Sequence, residues 1–227
     1  EVNKLYAAAK KEKQEGQWVK AVVYMQQLQG NQEDDIVKVQ KQMEQEIVSA
    51  PPRVAALLKS LAAEQLFNYL QQQRYRLSRR TEMENDSSED INTWTAGRLN
   101  KKIRELYLGS LIEENLLQQV SLSSFDVVIR KGNVRYLRPT LYDLLAYRAL
   151  EYFQHDDPEQ PVAEDAFMMN DPGIFFPSRQ FTEYVFPGAD SSSNHLTALK
   201  LFQNLLLFHL KDIKPDAETD ADINRLV

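Results

Sequence analysis

Cysteine is absent from all 227 residues, which excludes disulfides, thiol catalysis and thiolate metal sites. Its absence does not choose a compartment. Glycine is scarce, with seven residues against an average usage of about 7%. So few argue against Gly-rich phosphate loops and against a turn-rich β architecture, whereas helices need hardly any. No apolar run approaches the roughly 20 residues of a membrane span, and the apolar stretch 205–210 is far too short. Positive charge is not in excess: 27 Lys and Arg stand against 33 Asp and Glu, a formal net of -6. The electrostatic footprint of a nucleic-acid binder is therefore missing. A charged start followed by an apolar core is lacking too, so a signal peptide is either absent or already removed. The chain starts at Glu1 and stops at Val227 without a closing signal, which reads as a piece of something longer.

What the chain does have is two helical segments with almost no polar face. From Arg138 to Phe153, Pro139 suits a first helical turn, and Thr140 with Asp143 makes a capping-box-like start. Leu141, Leu144, Leu145, Ala149 and Phe153 then follow at helical spacing. A second such segment runs from His195 through Leu199, Phe202, Leu205, Leu206 and Leu210 to Ile213. Helices apolar nearly all round belong inside a structure. The expected fold class is thus all-α, a helical array with a tetratricopeptide-like N-terminal hairpin and a more globular C-terminal half.

Along the chain, Val2, Leu5 and Ala9 mark one helix face, Gly16 interrupts, and Trp18, Ala21, Val22, Met25 and Leu28 mark the next. Asn31 suits the cap of a third helix with Ile36, Val39, Met43 and Ile47, and a fourth starts at Pro52 with Val54, Leu57, Leu58, Leu61, Leu66 and Tyr69 inward. The polar stretch 81–89 reads as a joint, giving expected domains 1–80 and 90–227, or one continuous domain. Asp90 is placed to cap a helix through Trp94, Leu99, Ile103, Leu106 and Tyr107, and 120–136 reads as irregular, with one short strand at Phe125 as the alternative. A structureless loop over 155–190 would be unusually long, so a short helix is expected after Ser178, with aromatic anchors pinning the rest.

Several residue sets carry a functional reading beside a plainer one. The run Gly16 to Leu28 is similar to a single tetratricopeptide-type repeat, with Leu5, Ala8, Ala9, Ala21, Met25 and Leu28 at packing positions. Glu12 stands where an aromatic is usual, and plain helix packing competes with a peptide groove. His155, Asp156, Asp157, Glu159, Glu164, Asp165 and Asp171 offer oxygen ligands without calcium-loop spacing, and acidic loops are mostly just solvated. Arg74, Arg76, Arg79 and Arg80 suit a partner carboxylate or phosphate, yet a helix C-terminus favours cations anyway. His195 and His209, fourteen residues apart on one helix, are too distant for a shared metal, and His209 reads as a hydrogen-bonded core residue. Glu113 and Glu114 read as a solvated face. No nucleophile elbow or HExxH occurs, so catalytic, cofactor and metal residues are all expected to be absent.

Phe167, Phe175, Phe176, Phe181, Tyr184 and Phe186 form either a sticky exposed patch or a satellite core under a long loop, and the satellite core is the preferred reading. Phe175, Phe176, Tyr184, Arg76, Arg79 and Arg80 are the expected partner contacts.

Three runs carry a family resemblance: Asp90-Ile-Asn-Thr-Trp-Thr-Ala-Gly-Arg-Leu, then Tyr136-Leu-Arg-Pro-Thr-Leu-Tyr-Asp-Leu-Leu-Ala-Tyr-Arg-Ala-Leu, and Leu199-Lys-Leu-Phe-Gln-Asn-Leu-Leu-Leu-Phe-His-Leu. Together with Tyr107 they make nearly the whole chain resemble the N-terminal helical region of alpha-2-macroglobulin-like proteins of Bacteroidetes-type bacteria. That resemblance implies export, β-sandwich domains downstream, and a periplasmic, outer-membrane-anchored or extracellular protease trap. The thioester of some members needs a cysteine, which this chain lacks. The implied role is a non-catalytic module whose partner is protein, either the downstream domains or an envelope component, with no membrane insertion of its own. An autonomous helical-repeat peptide binder is the rival expectation.

Overall fold

The computed structural model describes residues 1–29, 36–77, 79, 88–155, 167, 169–187 and 193–227. Among them are eleven α-helices and no strand, so the chain is all-α; the one trace of sheet pairing is an isolated bridge between Ser121 and Thr140. No described helix is long and apolar enough to cross a membrane. Two compact units emerge, 1–131 with 140–145, and 132–139 with 146–227. The joint expected at 81–89 does not divide them, because the helix that follows it packs back onto the helix before it.

In the first unit α1 (Val2–Lys11) and α2 (Glu15–Gln29) form a hairpin. Gly16 does not interrupt them. The chain turns at Lys13, which holds the left-handed conformation at φ 55°. Gly16 lies within α2, where an added Cβ would come 2.9 Å from Val127 Cγ2 and 3.0 Å from the Ser124 carbonyl. The glycine thus serves close approach rather than a turn. Because a side chain at positive φ is strained, Lys13→Gly is expected to stabilise the hairpin by about 0.5–1 kcal/mol, read as a raised Tm.

The next helices are α3 (Ile36–Ser49) and α4 (Pro52–Gln72), then the single turn α5 (Arg74–Leu77), α6 (Ala96–Gly109) and α7 (Glu114–Gln118). Asn31, the expected cap of α3, lies outside the described residues. α4 packs against α2, α3 and α6 and buries Val54, Leu57, Leu58, Leu66 and Tyr69, with Leu61 half-buried. Its small residues Ala56, Ser60, Ala62 and Ala63 are all buried, which lets neighbours approach closely on several sides. Asp90 caps only the 3-10 turn Ile91–Thr93; α6 takes its own cap from Thr95, whose hydroxyl accepts from the Arg98 N–H at 3.2 Å. Around Phe125 there is a 3-10 turn, not a strand.

α8 (Leu141–Phe153) begins two residues after Pro139. The capping box forms as the sequence implies: the Thr140 N–H donates to Asp143 Oδ2 at 2.8 Å, and the Asp143 N–H donates to Thr140 Oγ1 at 3.3 Å. Pro139 precedes the cap, so it sets the entry of the chain rather than the first turn. In the second unit α9 (Ser178–Glu183) is the short helix expected after Ser178. α10 (Asn194–His209) packs on α9 and on α11 (Asp216–Leu226) and buries Leu196, Leu199, Phe202, Leu205 and Leu206. It stops at His209, so Ile213 does not continue its apolar face and is fully exposed.

Candidate interaction site

α3 and α6 both pack on α4, and a groove of about 1090 Å³ opens between them. One wall is the α3 stripe Val37, Lys41, Glu44, Gln45 and Val48, residues spaced by threes and fours on one helix face. The other is Arg98, Lys101, Lys102 and Glu105 of α6, similarly spaced. Ile91 and Trp94, both buried, contribute apolar lining. Trp94 is pinned there: its Nε1 donates to the Ser88 carbonyl at 2.8 Å, and the Arg98 guanidinium lies 4.3 Å over its ring while also donating to that carbonyl at 2.7 Å. Lys102 Nζ spans to Glu44 Oε1 at 2.7 Å and holds the walls in register. Val48 is 87% exposed, a valine edge with nothing of the described structure over it.

Charges in the groove balance, with Lys41, Arg98, Lys101 and Lys102 against Glu44, Glu89, Asp90 and Glu105. An apolar lining framed by both signs matches a folded or extended protein segment; a phosphate backbone would need a surplus of cations. Beside the groove, α1, α2 and α3 are joined through Glu46. It accepts from the Tyr6 hydroxyl, from Trp18 Nε1 at 3.1 Å and from Lys10 Nζ at 3.4 Å, while Lys10 donates to Tyr6 at 2.7 Å. Burial and the hydrogen bond to Glu46 push the Tyr6 hydroxyl above its ordinary pKa. Burial works against the Lys10 charge, but the Tyr6 hydrogen bond and the Glu46 carboxylate outweigh it, and its pKa is raised. This network ties α3 to α1 and α2.

Of the residues expected to contact partners, Arg76 and Arg79 belong to the first unit and Phe175, Phe176 and Tyr184 to the second. Arg76 donates to the Tyr69 hydroxyl at 2.7 Å, and Arg79 stacks 4.4 Å over Tyr75 and bonds its hydroxyl, so both cations are engaged by tyrosines of their own segment. Arg80 lies outside the described residues, as do Asp156, Asp157, Glu159, Glu164 and Asp165. The aromatic set folds down as the satellite core: Phe181 and Phe186 are buried, and ring centroids stand 5.7 Å apart for Phe167–Phe186, 5.2 Å for Phe176–Tyr184 and 5.0 Å for Tyr184–Phe186. Phe175 alone among these turns outward, 70% exposed. Asp171 is no solvated acid. It caps the Gly173 N–H at 2.7 Å and accepts from the Tyr184 hydroxyl at 3.3 Å, a bond that, with some burial, raises the tyrosine's pKa.

His209 is buried, with Nδ1 2.8 Å from Asp212 Oδ2. Among the described residues no three His, Asp or Glu side chains gather as a metal site. Glu114 departs from its solvated reading, since it takes a hydrogen bond from Tyr142, whose hydroxyl is pushed far above its ordinary pKa by burial first and by Glu114 and Asp143 next. Nothing in the spacing of Glu113-Glu114 indicated this, because Tyr142 approaches from a distant helix.

No protein-family model matches the chain, and no curated protein or solved structure was found to match it.

Proposed function

We propose that the chain is a non-catalytic interaction module that holds a segment of another protein in the groove between α3 and α6. The carrying observation is the groove itself: two facing helix stripes, a pinned tryptophan, and an exposed Val48 beside Lys41 and Lys101. A helix or strand laid there would bury the valine edge and meet charges of both signs, the usual composition of a helix-in-groove contact.

The setting comes from the resemblance. Arg138 to Leu145, its most specific run, is accounted for here by structure: Arg138 Nε donates to Asp220 Oδ2 at 2.9 Å, as does the nearby Tyr147 hydroxyl, and Thr140 with Asp143 caps α8. On this reading the module is the N-terminal helical region of an exported bacterial alpha-2-macroglobulin-like protease trap, and its partner is a downstream domain or an envelope protein. The second reading, an autonomous helical-repeat peptide binder, is favoured by the α1–α2 and α3–α4 hairpins. Against a tetratricopeptide-like packing stands the exposure of Leu5, Ala8 and Leu28, three of its six positions. A coding sequence that continues beyond Val227 into β-sandwich domains supports the first reading; a stop codon there supports the second.

Both share one test. Val48→Asp with Lys101→Glu should leave the Tm within about 2 °C, since both side chains are exposed, while affinity for the protein that co-purifies with the wild-type chain falls at least about tenfold. Undiminished affinity would reject the groove as the contact.

A further inference from the structure

We infer that Arg130-Lys131 is a cleavage site for an endoprotease of trypsin-like specificity, and that the two fragments of the cut chain stay together. Residues 130–134 are all exposed and lie between the 3-10 turns Leu122–Phe125 and Arg135–Leu137. Upstream, the Ile129 N–H donates to the Phe125 carbonyl at 3.0 Å; downstream, the Leu137 N–H donates to the Val134 carbonyl at 3.0 Å. Among the described residues no hydrogen bond holds 130–133 between them. A Cβ added to Gly132 would meet nothing within 4 Å, so the backbone itself stands in open space. A protease must draw several residues out in extended form, which breaks no ladder here and would break helical hydrogen bonds elsewhere. The bonds after Arg130 and after Lys131 each present a cation to an acidic specificity pocket. No Asp or Glu from Val127 to Tyr142 opposes it.

Other cations in described turns are less well placed. Arg138 and Lys214 each precede a proline, which lacks the N–H and fixes φ, and Lys211 precedes Asp212. Lys13 stands between Glu12 and Gln14-Glu15, in a tight turn whose N–H groups donate back to the Lys10 and Ala9 carbonyls. The reaction at 130–131 is simple hydrolysis: water adds across one peptide bond, leaving a carboxylate on Arg130 or Lys131 and an amine on the residue that follows. The cut does not release a separate half. Residues 140–145 come after it in sequence yet belong to the first unit. There Leu141, Tyr142 and Leu145 are buried, the Leu141 N–H donates to the Val120 carbonyl at 2.9 Å, and the Tyr142 hydroxyl bonds Glu114. The fragment that begins at 131 or 132 therefore stays anchored in the first unit by its own buried side chains.

Limited digestion of the native full chain with trypsin, read by mass spectrometry, tests both statements. Ends at Arg130 and Lys131 should accumulate at least about tenfold faster than ends at Lys59, Lys102 or Lys200, which lie inside α4, α6 and α10. Gly132→Asp with Asn133→Asp, both exposed, should slow that cut at least about fivefold at unchanged Tm by setting carboxylates against the acidic pocket. Once the protease is quenched, the two fragments should elute together on size exclusion and part only in denaturant. Ends at 130 and 131 that form no faster than the helix ends, or a cut that the double variant does not slow, overturn the site. Fragments that part in native buffer overturn the anchoring. Because no residue of 126–134 lines the α3–α6 groove, failure here leaves the groove reading standing, and the reverse.

Discussion

Arg225→Met is expected to lower the stability of the chain by about 3 kcal/mol, read from chemical denaturation of the full chain. The arginine sits near the end of α11 yet is buried. Its guanidinium donates to the carbonyls of Ile174 and of Phe176, the latter at 3.0 Å, and Nε meets Asp222 at 3.0 Å. Its plane lies 4.1 Å from the Phe181 ring. Methionine keeps most of the packing on Phe181 but leaves two carbonyls without a donor and Asp222 without its cation. Lysine should recover little, since one ammonium cannot reproduce a planar fork that reaches two carbonyls and a carboxylate at once. A loss under about 1 kcal/mol for methionine would mean that water replaces these bonds and that α11 is not clamped to 174–176.

Phe181→Ala should cost about 3–5 kcal/mol, whereas Phe175→Ala should cost less than about 0.5 kcal/mol. Phe181 is fully buried, 5.8 Å from the Phe186 ring, and its carbonyl, like that of Tyr184, accepts from Gln203 Nε2 at 2.7 Å. Removing the ring empties the centre of the satellite core and loosens α9 from α10. Phe175 points outward, so truncating it removes little buried area. Phe176, half-buried against Tyr184, should fall between them at about 1–2 kcal/mol. Thermal denaturation of the three variants is sufficient. Equal, small losses at all three positions would return the cluster to the reading of an exposed patch.

These contrasts also show what could be read from residues in order. The capping box at Thr140, the Pro52 start of α4, the short helix after Ser178 and the buried faces of α8 and α10 follow from local periodicity and capping chemistry, which act within a few residues. Outcomes that hang on distant neighbours were not legible. Gly16 reads as a helix break until Val127 and Ser124 are seen against it; the turn falls on Lys13 instead, a residue with no turn preference. Gly173 likewise is set by Tyr184, whose ring would stand 2.2 Å from an added Cβ. α11 is rich in Asp and Glu and shows little apolar stripe, so its place in the fold rests on Arg225, Asp220 and Glu218 finding partners up to 82 residues away. The groove belongs to the same class. Its walls come from α3 and α6, whose cross-bridge Lys102–Glu44 links residues 58 apart, and neither stripe alone is distinguishable from a solvated helix face.

The measurement that bears most directly on the groove is photo-cross-linking from position 48 in cells that make the protein. With a photoreactive residue in place of Val48, one discrete protein adduct should form, disappear when Lys101→Glu is added, and be missing when the same probe replaces exposed Leu5 on α1. No adduct from position 48, or the same adducts from both positions, would contradict the assignment of α3 and α6 as the partner-holding surface.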